Sequence, residues 1–245
     1  MHFMSDWHPP RLKQIAFFLA AVWAACLCGF AEQADRVRQV EAGSGTVPFS
    51  ALAVNSKARK LYAGQAAGYD PTAGGLCVFD IDAQGEVSGS DERVYSVVPS
   101  GEEKLSARVE CFRVSPDGRK LYMARNPLNE TVQNTLVVYD LNEKGEPTGK
   151  PRGYKSGNPH FMIQDMVVDP KGTFIYTVGW GGAGIFAMPL VKGEPSGEAV
   201  SHGVGGQGKI SIVPSEKWDA FFLGTYPSMV ESVNIFPGGE VESPG

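Results

Sequence analysis

Short apolar runs recur along this chain, each cut off by turn residues. Cys111-Phe-Arg-Val-Ser-Pro-Asp-Gly-Arg-Lys-Leu-Tyr122 is followed by Leu136-Val-Val-Tyr-Asp-Leu-Asn-Glu-Lys-Gly-Glu146. The same layout appears at Ala51 to Tyr62 with Leu76 to Glu86, and at Met166 to Tyr176 with Ile185 to Glu194. A weaker copy runs from Ile210 to Phe222 and from Val233 to Glu240. Runs of β-branched and aromatic residues bounded in this way read as strands. Ser115-Pro116-Asp117-Gly118 is a turn in which Pro presets φ and Gly takes the positive φ, and Asp169-Pro170-Lys171-Gly172 repeats it. Gln84-Gly85 and Lys144-Gly145 mark a second hairpin turn, ahead of a fourth strand such as Arg93 to Val98. A Gly-Glu pair recurs at Gly85, Gly145, Gly193 and Gly239, at spacings of 60, 48 and 46 residues. After the first thirty residues no stretch carries a sustained helical period.

Each unit is therefore a four-stranded antiparallel meander of about fifty residues, and a meander repeating at that period is a propeller blade. The expected fold is all-β, a β-propeller of about four recognisable four-stranded blades over residues 49–245. The fourth unit stops after its third strand. Arg36 to Glu41, within residues 32–48, reads as a spare strand that could supply the missing outer strand and close the ring.

Val114-Ser-Pro-Asp-Gly-Arg-Lys-Leu-Tyr122 followed by Thr135-Leu-Val-Val-Tyr-Asp-Leu141 resembles the lactonase-type propellers, the 6-phosphogluconolactonase-like and YVTN-repeat proteins. The likeness runs from about Phe49 to Gly245. It implies seven blades, so four leave two readings: a small closed ring, or a shortened relative or remnant of a longer propeller. An open arc would leave a sheet edge unpaired, and would then call for a second copy or another partner chain.

The resemblance also implies a Pro-His or His-x-His element on the loops leading into the innermost strands. Counting back from each turn reaches Arg108 and Glu110 in the second unit, and Met162 and Gln164 in the third, with Asn158-Pro159-His160 just upstream. The first and fourth units offer Pro48 with Ser50 and Gly206 with Gly208. The histidine pair is absent, and Pro159-His160 is shifted by two residues. Lactone hydrolysis needs a base or a metal-bound water beside a polarised carbonyl. The candidate catalytic cluster is His160, Glu110, Arg108 and Asp165, with Arg108 gripping an anionic substrate and His160 or Glu110 activating water. The plainer reading makes His160 an ordinary loop histidine and Arg108 with Glu110 a surface ion pair. Gln164 and Trp180 are the candidate ligand-binding residues. Gly179-Trp180-Gly181-Gly182-Ala183-Gly184 joins two strands, so it is a hairpin loop with an exposed Trp180 that could stack on a sugar or anchor a partner. Gly203 to Gly208 reads as a flexible connector. Asp80, Asp82 and Asp140 read as polar caps of turns.

Composition adds location. Arg11 and Lys13 precede an uncharged apolar run, Ile15 to Phe30, too short for a membrane span and suited to a secretory signal over residues 1–31. Gly29-Phe30-Ala31 offers a cleavage site; an uncleaved anchor and lipid attachment at Cys26 are the alternatives. The net charge of −5 gives no basic field for nucleic acid. Beyond the leader only Cys77, Cys111, His160 and His202 remain of their kinds, so no metal and no cofactor are expected. Cys77 and Cys111 lie in strand runs, as buried thiols or, in an oxidising compartment, as a disulfide. The leading functional expectation is a secreted or periplasmic module that binds a sugar-like small molecule or a protein through one mouth of the ring. The alternative is a sugar-lactone hydrolase.

Overall fold

The computed structural model describes residues 49–65, 75–87, 93–99, 107–127, 134–155, 162–180, 183–226, 229–235 and 241–242. The leader and the Arg36 to Glu41 segment lie outside them. Every regular element among the described residues is a strand, and all belong to one compact unit, Ala42–Gly245.

Blade 1 is β1 (Phe49–Asn55), β2 (Lys60–Gln65), β3 (Gly75–Asp80) and β4 (Arg93–Ser96). Blade 2 is β5 (Ala107–Val114), β6 (Lys120–Pro127), β7 (Asn134–Leu141) and β8 (Pro147–Lys155). Blade 3 is β9 (Met162–Val168), β10 (Phe174–Trp180) and β11 (Ala183–Val191), edged by the short β12 (Glu194–Pro195) and by β13 (Val200–Gln207). Blade 4 is β14 (Lys209–Pro214), β15 (Ala220–Thr225), β16 (Met229–Ile235) and β17 (Val241–Glu242). All pairings are antiparallel between sequence neighbours, apart from the β11–β13 pair that skips β12.

Two expectations change. The fourth blade does not lack its outer strand: Val241–Glu242 pairs with Asn234 and Ile235. The glycine-rich segment from Gly203 is in part strand: it lies within β13, the outer strand of blade 3, which pairs with β11 through Val200, Ser201, His202 and Gln207 and is irregular at 203–206 between them. Glycine in a strand often marks such an irregularity.

The turns form as their residues dictate. Ser115 Oγ accepts from the amides of Arg119 and Lys120 at 3.1 and 2.8 Å, while Gly118 takes φ +78°. Asp169 serves blade 3 in the same way, accepting from Thr173 and Phe174. Asp82 caps its hairpin through the amides of Gln84 and Glu86.

Innermost strands pack side by side in chain order, β1 with β5, β5 with β9 and β9 with β14. Each blade thus has a forward face toward the next blade and a rear face toward the one before. Tyr62, Leu76 and Val78 meet Val109, Phe112 and Tyr139 between blades 1 and 2. Tyr122, Leu136 and Val138 meet Met166, Ile175 and Phe186 between blades 2 and 3. Tyr176, Val178 and Ile185 meet Ile212, Phe221 and Leu223 between blades 3 and 4. Full burial of one such side chain contributes about 1.5–3 kcal/mol, so these three clusters carry most of the stability.

Over the first two clusters lies a polar lock. Tyr62 Oη donates to the carbonyl of Gly145 at 2.7 Å, and Tyr122 Oη to that of Gly193 at 2.9 Å. Asp80 pairs with Lys60 and Arg93, and Arg93 reaches on to Glu146 in blade 2. One blade later Asp140 pairs with Lys120 and Arg152, and both reach Glu194 in blade 3, which also accepts from Tyr154. The recurring Gly-Glu pair is thus the socket into which the preceding blade plugs. Asp80 and Asp140 are ion-pair centres rather than turn caps, because cross-strand register sets each opposite a lysine.

Candidate functional site at the loop end of the inner strands

Each innermost strand carries one extra residue near the end where it enters from its loop. Val109 and Cys111 sit opposite Arg125 and Ala124, leaving Glu110 over; Ile163 and Asp165 sit opposite Gly179 and Val178, leaving Gln164 over. Ser50 and Ile210 are the extra residues of blades 1 and 4. A β-bulge kinks the strand and redirects the side chain it carries. The four bulges stand at one level along the innermost strands. In blade 3 the bulge dictates glycine at 179, since a Cβ there would stand 1.8 Å from the carbonyl oxygen of Met162. Ser50, Glu110 and Gln164 are half-buried, and Ser50 Oγ donates to the carbonyl of Val109, tying blade 1 to blade 2 at this level.

Asp165 lies next to the Gln164 bulge and is nearly buried. It accepts from Arg113 Nη2 at 2.5 Å, from the amide of Ile212 at 3.1 Å and from its own neighbour Met166 at 2.8 Å. One carboxylate therefore joins blades 2, 3 and 4. Burial pushes its pKa up, against the downward pull of Arg113 and the two amides, and burial wins. Three donors, from blades 2, 3 and 4, fix this carboxyl group in place, which gives Asp165 a fastening role.

Trp180 ends β10 and is 37% exposed. Its ring tilts at 52° to that of Tyr226, just beyond β15, with centroids 5.8 Å apart. Tyr226 is 63% exposed. Together they form an aromatic shelf across blades 3 and 4, at the opposite end of the strands from the Ser-Pro-Asp-Gly turns. Gly208, at φ +82°, runs beneath, where an added Cβ would lie 3.5 Å from each residue's side chain.

The structure thus brings Glu110 and Gln164 to equivalent bulges and Trp180 to the shelf. Arg108 pairs by its backbone with Asn126, and His160 lies outside the described residues. Arg113 and Tyr226 are additions from the structure. Arg113 meets Asp165 across 52 residues of sequence, and no motif connects the two. Among the described residues no group of three His, Cys, Asp or Glu is placed to hold a metal ion. Cys77 and Cys111 are separate buried thiols, and burial pushes the Cys111 pKa upward, away from thiolate chemistry.

No protein-family model matches this chain, and no curated protein matches it. Solved structures do. The periplasmic gluconolactonase of Pseudomonas aeruginosa superposes with a TM-score of 0.59 at 14% identity, over 84% of this chain and 57% of that one. A proposed 6-phosphogluconolactonase of Bacteroides uniformis gives 0.58 at 14% identity, over 79% and 55%. The β-propeller domain of a Myceliophteria thermophila protein gives 0.55 at 12% identity, over 80% and 57%. The fold is a lactonase-like β-propeller. This chain spans slightly more than half the length of these proteins.

Proposed function

We propose that this chain is an extracytoplasmic binding module for a sugar-like ligand, received at the loop end of blades 3 and 4. The observation that carries this reading is the Trp180–Tyr226 shelf. It is a wide apolar face with polar tips, of the kind that lies against the C–H face of a sugar ring, and it stands one strand away from the Gln164 bulge. Gln164 and Glu110 supply donors and acceptors for ring hydroxyls. The names of two structural neighbours support a sugar-acid lactone or its open acid as the ligand class, and one of those proteins is periplasmic. The apolar leader Ile15 to Phe30 supports the same setting. Titration of gluconate and glucono-lactone by calorimetry tests the reading. Trp180→Ala should weaken binding at least tenfold with the fold intact. Equal affinity in the variant and the parent would refute the shelf.

A second reading, lactone hydrolysis, is favoured by Glu110, a half-buried carboxyl group carried by the bulge of an inner strand. Glu110→Gln should then abolish turnover of glucono-lactone while leaving its binding in place.

A further inference from the structure

The second strand of each of the last three blades starts with an aromatic, Tyr122, Tyr176 or Phe222, and the fourth residue beyond it is Asn126, Trp180 or Tyr226. Two of these three form the aromatic shelf. The third is polar and nearly closed off, since Asn126 is 5% exposed. Its side-chain oxygen Oδ1 is buried and, among the described residues, accepts no hydrogen bond. A buried acceptor in this state costs free energy, so folded proteins keep few of them, and each calls for a reason.

The surroundings of Asn126 supply one. Alternate residues of a strand share a face. Tyr122 and Ala124 face blade 3, where they pack with Ile163 and Met166, so Asn126 stands on that same face. β6 packs against β9 there, as β10 packs against β14 one blade later. In that later junction Trp180 lies over Gly208 and tilts toward Tyr226. Met162 holds the place of Gly208 one blade earlier, and it pairs with Trp180. The repeat therefore sets Asn126 beside Met162 and Trp180, at the blade 2 edge of the shelf. We infer that Asn126 completes the ligand site there: a hydroxyl of the ring that lies on Trp180 and Tyr226 donates to Oδ1. This inference rests on the proposal that the shelf receives a sugar-like ring, and it fixes which part of the ligand points toward blade 2. An ionised carboxylate has no proton to donate, so the hydroxylated part of the ligand enters here and a carboxylate is turned away. Met162, unbranched and 42% exposed, is the side chain that moves aside to admit it. The folded chain thus holds an acceptor ready at the expense of its own stability, as binding sites often do.

The test measures stability and binding together in Asn126→Leu, whose side chain has nearly the same shape and no polar atom. Its urea midpoint should equal or exceed that of the parent, because a buried acceptor without a donor has been removed. Its affinity for glucono-lactone, by calorimetry, should fall about five- to tenfold, the share of one hydrogen bond. A lower midpoint would overturn the inference, since it would reveal a structural partner of Oδ1. An unchanged affinity would overturn it as well; if Trp180→Ala still weakens binding in that assay, the shelf stands without Asn126. A parent that binds neither gluconate nor glucono-lactone would remove the shelf reading and this inference together.

Discussion

The junctions between blades 1 and 2 and between blades 2 and 3 are fastened by charge, whereas the junction between blades 3 and 4 is fastened by aromatic rings. All three bury a tyrosine at the same place. In the first two, that tyrosine is flanked by Lys60 with Asp80 or Lys120 with Asp140, and the next blade answers with Glu146 or Glu194. In the third, Phe174 replaces the lysine and Pro189 replaces the aspartate. Tyr176 there meets Phe221 at 4.8 Å between centroids, and Trp218 closes on Phe221 from the side at 6.1 Å. Burial is common to all three, so burial holds the blades together. The charges select which hairpin seats against which strand. Partly exposed ion pairs contribute little net energy, yet they penalise any misplaced register that would leave them without partners.

The sharpest way to break the comparison is Phe221→Ala. It removes the central ring of the aromatic junction from a fully buried site and should cost about 3–5 kcal/mol in urea unfolding. A cost near 1 kcal/mol would mean that the rings fill space without fastening anything. Next comes Glu194→Gln, which withdraws the charge shared by Lys120, Arg152 and Tyr154. The loss should be about 1–3 kcal/mol, and it should depend on pH. Hydrogen bonds and ion pairs from Arg152 and Lys60, respectively, hold Asp140 and Asp80 below the ordinary carboxylate range. Burial pushes Glu194 up, but Arg152, Lys120 and Tyr154 outweigh it and leave it lowered. Groups with depressed values contribute stability above their unfolded pKa, near 4, and lose it as the pH falls through the folded value. The urea midpoint should therefore drop between about pH 5 and pH 3 in the parent and drop less steeply in Glu194→Gln. An identical slope would dismiss the charged lock. Asp165 has the opposite sign. Its value is raised, so its contribution is present below the unfolded pKa and fades as the pH rises through the folded one. The smallest effect belongs to Trp218→Gly. Trp218 sits at φ +57°, where blades 2 and 3 have Gly118 and Gly172. Relief of that strain and loss of the edge contact to Phe221 should nearly cancel, within about 1 kcal/mol.

Much of this fold was legible because its signals are local. Ser115-Pro116-Asp117-Gly118 and the Gly-Glu pairs declare turns within four residues of themselves, and the repeats followed from them. What sequence could not supply was pairing. Glu146 and Glu194 are visible as a recurring pair, but their partners in the preceding blade lie 40 to 74 residues away. The bulges at Glu110 and Gln164 are properties of register, and register exists only between two strands. The stretch from Gly203 reads as a connector because glycine suggests freedom, and the strand that contains it pairs with β11 only on either side of the irregularity at 203–206. Asp165 was chosen as a candidate for its charge, and its three donors became visible only once three blades stood together.

The Tyr62 hydroxyl finds its acceptor 83 residues further along the chain, and the Tyr122 hydroxyl finds its own 71 residues on. A ribosome adding 5–20 residues per second takes about 4–17 seconds to cover the longer distance. During synthesis the tyrosine hydroxyls of blades 1 and 2 therefore have no such acceptor until the hairpin of the next blade has emerged.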